Sequence, residues 1–140
     1  MSETKKINWR HKDEWITDGT GFAVSVCRNE GYPFSDRGPN VWTVYAYLYS
    51  SHPLTKTFDD TDDISQDAAD KMDFHCGCTC LRRYFKPNGE LASIQVGCDY
   101  NHLYDGHYTH MGSKDEAASV FADAEHLFNR LEAIAKGGQP

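Results

Sequence analysis

The sequence predicts an α+β domain, an antiparallel sheet of about four strands packed on one face by a C-terminal amphipathic helix. Three observations predict it. From Ala117 to Ile134 apolar residues recur at spacings of three and four, the period of one helix face. Residues 41–49 alternate, with Trp42, Val44, Ala46 and Leu48 on one side and Thr43, Tyr45, Tyr47 and Tyr49 on the other, as a strand with one buried face requires. Two further alternating runs flank the Lys-Pro-Asn-Gly-Glu segment at 86–90, a hairpin signal. Sequential strands joined by short turns give an antiparallel sheet, and a helix with one greasy face must cover it.

Taken in order, 1–18 reads as an N-terminal segment, with Trp9 and Trp15 available to pack on a sheet face. Phe22 to Cys27 is a short strand. Gly31, Pro33, Gly38 and Pro39 make 29–40 a loop. The strand at 41–49 follows, then an acidic loop over 56–73 with one helical turn near Ala68 and Ala69. His75 to Phe85 and Leu91 to Tyr100 are the hairpin strands. The helix spans 113–136. Ser113 and Glu116 have the spacing of a capping box, Asp115 and Glu116 suit its positive end and Lys136 its negative end, and Gly137-Gly138 stops it.

The 140 residues make one domain with one core. A net charge of -7 opposes direct nucleic-acid binding, which draws on a basic surface. A mean hydropathy of -0.66 and the lack of any long apolar run leave no membrane span. The polar start, Met1 to Lys6, offers no apolar signal core, so a cytoplasmic location is expected. Five cysteines, an odd number, then read as reduced thiols.

A turn with Lys86 opposite Glu90 sets Cys78 opposite Cys98, Gly77 opposite Asp99 and His75 opposite Asn101. Cys76, Cys78 and Cys80 then share an apolar face with Ala92, Ile94, Val96 and Cys98. The other face carries His75, Gly77 and Thr79 beside Gln95, Gly97 and Asp99, and its two glycines leave a gap where a ligand approaches the backbone. The run His75-Cys76-Gly77-Cys78-Thr79-Cys80 is a poor zinc site, because alternate sulfurs on an extended strand lie in a line and do not close a tetrahedron. The cysteines are core candidates. The richer cluster leaves the end of the last strand: Asp99, His102, Asp105, His107 and His110. Imidazoles beside carboxylates suit a divalent metal or a general base oriented by a carboxylate. Asp99 and His102 stand out because the register brings His75 alongside them. No metal or cofactor follows from the residues themselves.

His52-Pro53-Leu54, His75-Cys76-Gly77-Cys78-Thr79 and the run from Gly97 to Asp105 resemble a family of small phage- and prophage-borne proteins, whose pattern is His-Pro, His-Gly-Gly-x-Thr and Gly-x-Asp-x-x-His-x-x-Asp. The likeness covers roughly the middle third of the chain and rests on the order and spacing of the motifs. It implies a site at His52, His75, Gly77, Thr79, Gly97, Asp99, His102 and Asp105 without naming a reaction. The chain departs from the pattern at Cys76, where the family has glycine.

Three functions are compatible with these residues. The first is a binding protein that works in the host cytosol, docking on a host protein or sequestering a small ligand, as an anti-defence factor would; a dimer through the face of Tyr45, Tyr47 and Tyr49 fits the same class. The second is a small hydrolase using His52, His75, Asp99, His102 and Asp105, with or without a divalent metal, and with Gly77, Thr79 and Gly97 lining the approach. The third is a purely structural cluster. No nucleophile elbow, phosphate-binding glycine loop or HExxH helix assigns an enzyme class.

Overall fold

The computed structural model describes residues 3–6, 13–30, 38–58, 74–75, 78–100 and 105–137. They form an α+β fold with one antiparallel sheet and one C-terminal α-helix. The strands are β1 (Glu3–Lys6), β2 (Asp13–Asp18), β3 (Phe22–Glu30), β4 (Asn40–Tyr49), β5 (Cys80–Phe85) and β6 (Leu91–Asp99), and the helix is α1 (Ala118–Ala135). Their order in the sheet is β1-β2-β3-β4-β6-β5, so the expectation of about four strands is two short. The missing pair lies within 1–18. The Glu-Thr-Lys-Lys sequence of β1 carries no apolar alternation, and β2 has only Trp15 and Ile16 among acidic and hydroxyl residues.

Alternation sorts the sheet into two faces. The rows Trp15–Val26–Val44–Cys98 and Thr17–Val24–Ala46–Val96–Leu81 face the helix. The rows Glu14–Cys27–Thr43–Asp99 and Ile16–Ser25–Tyr45–Gly97–Cys80 face the other way. Val120, Ala124, Leu127, Phe128, Leu131 and Ile134 of α1 are buried against the first face. Trp42 stacks on Trp15 at 5.8 Å between ring centroids, and Phe121 meets both edge-on. Each large apolar side chain sealed there contributes about 1.5–3 kcal/mol.

The capping pair forms, but it closes a turn ahead of the helix. The Glu116 amide donates to Ser113 Oγ at 3.2 Å, while α1 proper starts at Ala118. At the other end Gly137 has φ +98° and its amide donates to the Ile134 carbonyl, a left-handed terminus that suits glycine.

The hairpin loop is as expected, with Lys86 N donating to Glu90 O at 2.7 Å and Gly89 at φ +88°. Its register is not. Phe85 pairs with Leu91 but Tyr84 pairs with Ser93, so Ala92 bulges out. Beyond the bulge each β5 side chain lies on the opposite face from the one expected. Cys80 now opposes Gly97, and Leu81 opposes Val96 and packs against the core. The exchange buries a leucine in place of a cysteine, which is the more favourable choice. Strand β5 starts only at Cys80, and Cys78, ahead of it, packs on the core with its thiol donating to the Cys80 carbonyl at 3.1 Å. The expected opposition of Gly77 to Asp99 and of His75 to Asn101 involves Gly77 and Asn101, which lie outside the described residues. So does 59–73, most of the expected acidic loop; Lys56 and Thr57 end a 3-10 helix, Pro53–Thr57.

Candidate functional site

The residues expected to form one site fall into three places. His52 is buried and caps the 3-10 helix: its Nδ1 accepts from the Leu54 amide at 3.1 Å, and its Nε2 lies 3.0 Å from the Leu131 carbonyl. The neutral ring with a proton on Nε2 serves both contacts. Its edge meets Phe22 at 5.5 Å. His52 therefore ties the β4 exit to the late turns of α1. It does not join His75, whose neighbour Tyr100 reaches Asp123, about 12 Å earlier along the helix axis.

His75 lies on the helix side of the sheet. Its Nε2 is 2.8 Å from Asp105 Oδ1, with Asp105 buried and the His75 side chain 22% exposed. The imidazole stacks on Tyr100 at 4.3 Å, and the Tyr108 ring stands edge-on to both. The His75 backbone N–H lies against the Cys98 sulfur. Tyr100 donates from its hydroxyl to Asp123 Oδ2 at 2.6 Å. Burial, then the Asp123 carboxylate, holds that phenol well above its ordinary range. A carboxylate that fixes one nitrogen of an imidazole sets its tautomer and orientation, the arrangement of a general base or of a structural tie. Tyr100, Tyr108 and Asp123 were not among the expected residues. The signal for Asp123 is its place between Val120 and Leu127 on the apolar stripe, where a carboxylate calls for a partner.

Asp99 lies on the opposite face. It shares a row with Thr43, whereas Tyr100, next in sequence, faces the helix. Around Asp99 opens a cleft of about 590 Å³ walled by Asn29, Glu30, Tyr45, Thr79, Arg82 and Cys80. Asn29 is held by its amide, which donates to the Val41 carbonyl and to Thr43 Oγ1. Thr79 is exposed, and its amide donates to the Gly97 carbonyl at 2.8 Å. Burial raises the Cys80 thiol despite the nearby Arg82 charge, so it is no ready nucleophile. The expected ligand gap at Gly97 is filled. A Cβ there would sit 2.3 Å from the Val44 carbonyl oxygen and 2.4 Å from Cδ1 of Tyr45, so the glycine makes room for the tyrosine ring. Arg82 was missed because its facing depends on the bulge at Ala92, and Asn29 because the expected strand ended at Cys27 while β3 runs on to Glu30. Thr43 was placed on this face by its alternation, but not beside Asp99.

His102 and Gly77 lie outside the described residues. His107 and His110 flank and close a short 3-10 turn, with His107 4.0 Å from the Tyr108 ring. Among the described residues no group of three or more His, Cys, Asp or Glu is placed to hold a metal ion, and no helix is long and apolar enough to cross a membrane. No protein-family model matches the chain, and neither a curated protein nor a solved structure does.

Proposed function

We propose that this chain is a binding protein, a small phage-type domain that acts in the host cytosol by docking on a host protein or by sequestering a small ligand, as an anti-defence factor would. The observation that supports it is the cleft on the open sheet face. Its volume falls in the range of ligand pockets, and Arg82, Asp99, Glu30 and Thr79 converge there as recognition groups without an activated nucleophile. The test is native mass spectrometry of protein purified without denaturant, combined with affinity capture of purified candidate host proteins. A bound small molecule or stoichiometric partner that is lost in Asp99→Ala is the expected result. Recovery of neither would sink the reading.

The contact between His75 and Asp105 favours a second reading, a small hydrolase in which Asp105 orients His75 as base. His75→Gln keeps ring-sized polarity but removes the base. Abolished turnover with an unchanged melting temperature would support hydrolysis, whereas full biological activity in the variant would end it.

A further inference from the structure

The sheet ends at β5, which is hydrogen-bonded only to β6 among the described strands. Two independent features mark this edge. The exposed large hydrophobics of the described residues are Tyr49 (43%), Tyr84 (43%) and Phe85 (61%). Tyr84 and Phe85 are on β5, and Tyr49 lies in the same cross-strand row as Tyr84, through Ser93. In a chain of net charge -7, this edge and its loop expose two cations, Arg82 and Lys86, against one carboxylate, Glu90. Lys86 reaches Glu90 only at 4.0 Å, with both side chains half-exposed or more, a pairing of little energetic weight.

We infer that the β5 edge docks an acidic extended segment of a partner protein, which adds to the sheet as a further strand. In strand addition the main chain supplies the affinity and alternate side chains supply the specificity. Arg82 and Tyr84 point to the open face and Phe85 to the other, so one face of an incoming strand meets a cation and an aromatic ring and its other face meets an aromatic ring. The matching segment carries a carboxylate and an apolar residue two positions apart on the open face and an apolar residue on the other, because directly opposed side chains interact across the ladder. A second copy of this chain fits poorly. Pairing β5 with β5 sets arginines against arginines, and the other sheet edge, β1, carries Lys5 and Lys6. Like charges opposed across a ladder are destabilising, so the edge resists self-assembly while attracting a strand of opposite charge. This inference rests on the binding reading and shares Arg82 with the cleft, so slowed amide exchange across 81–85 is what marks the edge as the docking place.

The experiment uses a fluorescein-labelled peptide of about eight residues repeating Glu-Glu-Val-Val, its lysine counterpart and a single-stranded oligothymidylate of similar charge. Binding to the full chain is followed by anisotropy at about 50 mM and about 300 mM salt. The glutamate peptide is expected to bind, at least about tenfold more tightly than the lysine peptide and more weakly at the higher salt. Arg82→Glu should weaken it about tenfold and Arg82→Lys much less, both with unchanged melting temperatures. Amide exchange across 81–85 should slow in the complex. Equal binding of both peptides, no binding, or indifference to Arg82→Glu overturns the inference and leaves the arginines as guards of the edge. Tighter binding of oligothymidylate overturns it in favour of a nucleic-acid surface. Loss of the peptide arm while a ligand lost in Asp99→Ala persists strikes this inference alone, and loss of both strikes the binding reading.

Discussion

On the helix side of the sheet the row Trp15–Val26–Val44–Cys98 is closed by Phe121 and the apolar stripe of α1. One residue along each strand, the row Ile16–Ser25–Tyr45–Gly97–Cys80 has no described helix above it. Yet Ser25 and Cys27 on that open face are as buried as Trp42 on the covered one. The difference is in how water is kept out. The covered face does it with large apolar side chains against a second layer. The open face does it with small residues on β3 flanked by larger ones. Glu14 accepts from Ser25 Oγ at 2.9 Å and from the Cys27 thiol, and Tyr45 lies over Gly97. The first device yields a core. The second keeps polar groups in fixed positions beside a cleft, which is what a recognition surface needs.

The contrast is sharpest at Trp42. Its side chain has no exposed surface, stacks on Trp15 and donates from Nε1 to the Met111 carbonyl at 2.9 Å. Trp42→Ala should cost about 3–5 kcal/mol, and Tyr47→Phe on the open face about 1 kcal/mol. Urea unfolding checks both. A comparable loss from the two would mean that the open face is a second core.

Thiol chemistry probes the same comparison without changing the packing. Cys98 on the covered face and Cys27 on the open face are each pushed up to about 12, in both cases chiefly by burial. A thiol raised in the folded state adds stability that is complete below its unfolded value of about 8.5 and is lost as pH climbs toward 12. At pH near 8 both should be alkylated about a hundredfold more slowly than in urea, read residue by residue by mass spectrometry. If Cys27 reacts at the unfolded rate while Cys98 is protected, the open face is wet and the contrast fails.

Gly97→Ala breaks the open face from below. The new methyl meets a main-chain oxygen and the Tyr45 ring, so strand β6 or β4 has to shift, at about 1–3 kcal/mol. The cleft beside Tyr45 would change shape with it. A neutral substitution would show that the glycine serves something other than the ring.

The covered face was the legible one. The stripe from Ala117 to Ile134 and the alternation of 41–49 repeat often enough to fix both the helix and the side it covers, because burial imposes the period. The site was legible only as a set of residue types. Its geometry depends on a single extra residue, Ala92, which reverses the facing of Cys80, Leu81 and Arg82. No composition or spacing in the hairpin announces that bulge, since either register segregates some apolar residues. His52 misled for a related reason: a histidine before proline reads as a site residue, while its two nitrogens are occupied by the Leu54 amide and the Leu131 carbonyl. The pairing of His75 with Asp105 was within reach, as both carried the expected chemistry, but Asp99 stood nearer in the ladder that the unbulged register implies.

The smallest expected effect tests the join between the turn before β3 and the last turns of α1. Glu132 accepts from the Thr20 amide at 3.2 Å and from the Thr20 hydroxyl. These bonds, with Lys136 at 3.9 Å adding a lesser pull, hold the partly exposed carboxyl below its ordinary range. A carboxyl lowered in the folded state adds stability that is complete above its unfolded value, about 4.3, and is lost as pH falls through the lowered folded value. Thr20→Ala removes the cause, so its melting temperature should sit below the parent's at pH 7 and the gap should close in acid. The variant should leave the open face untouched, because Thr20 and Glu132 lie beyond the cleft-bearing strands. A gap that stays constant from pH 7 to about pH 3 would mean that the threonine acts through turn geometry and that the carboxylate contributes nothing to the join.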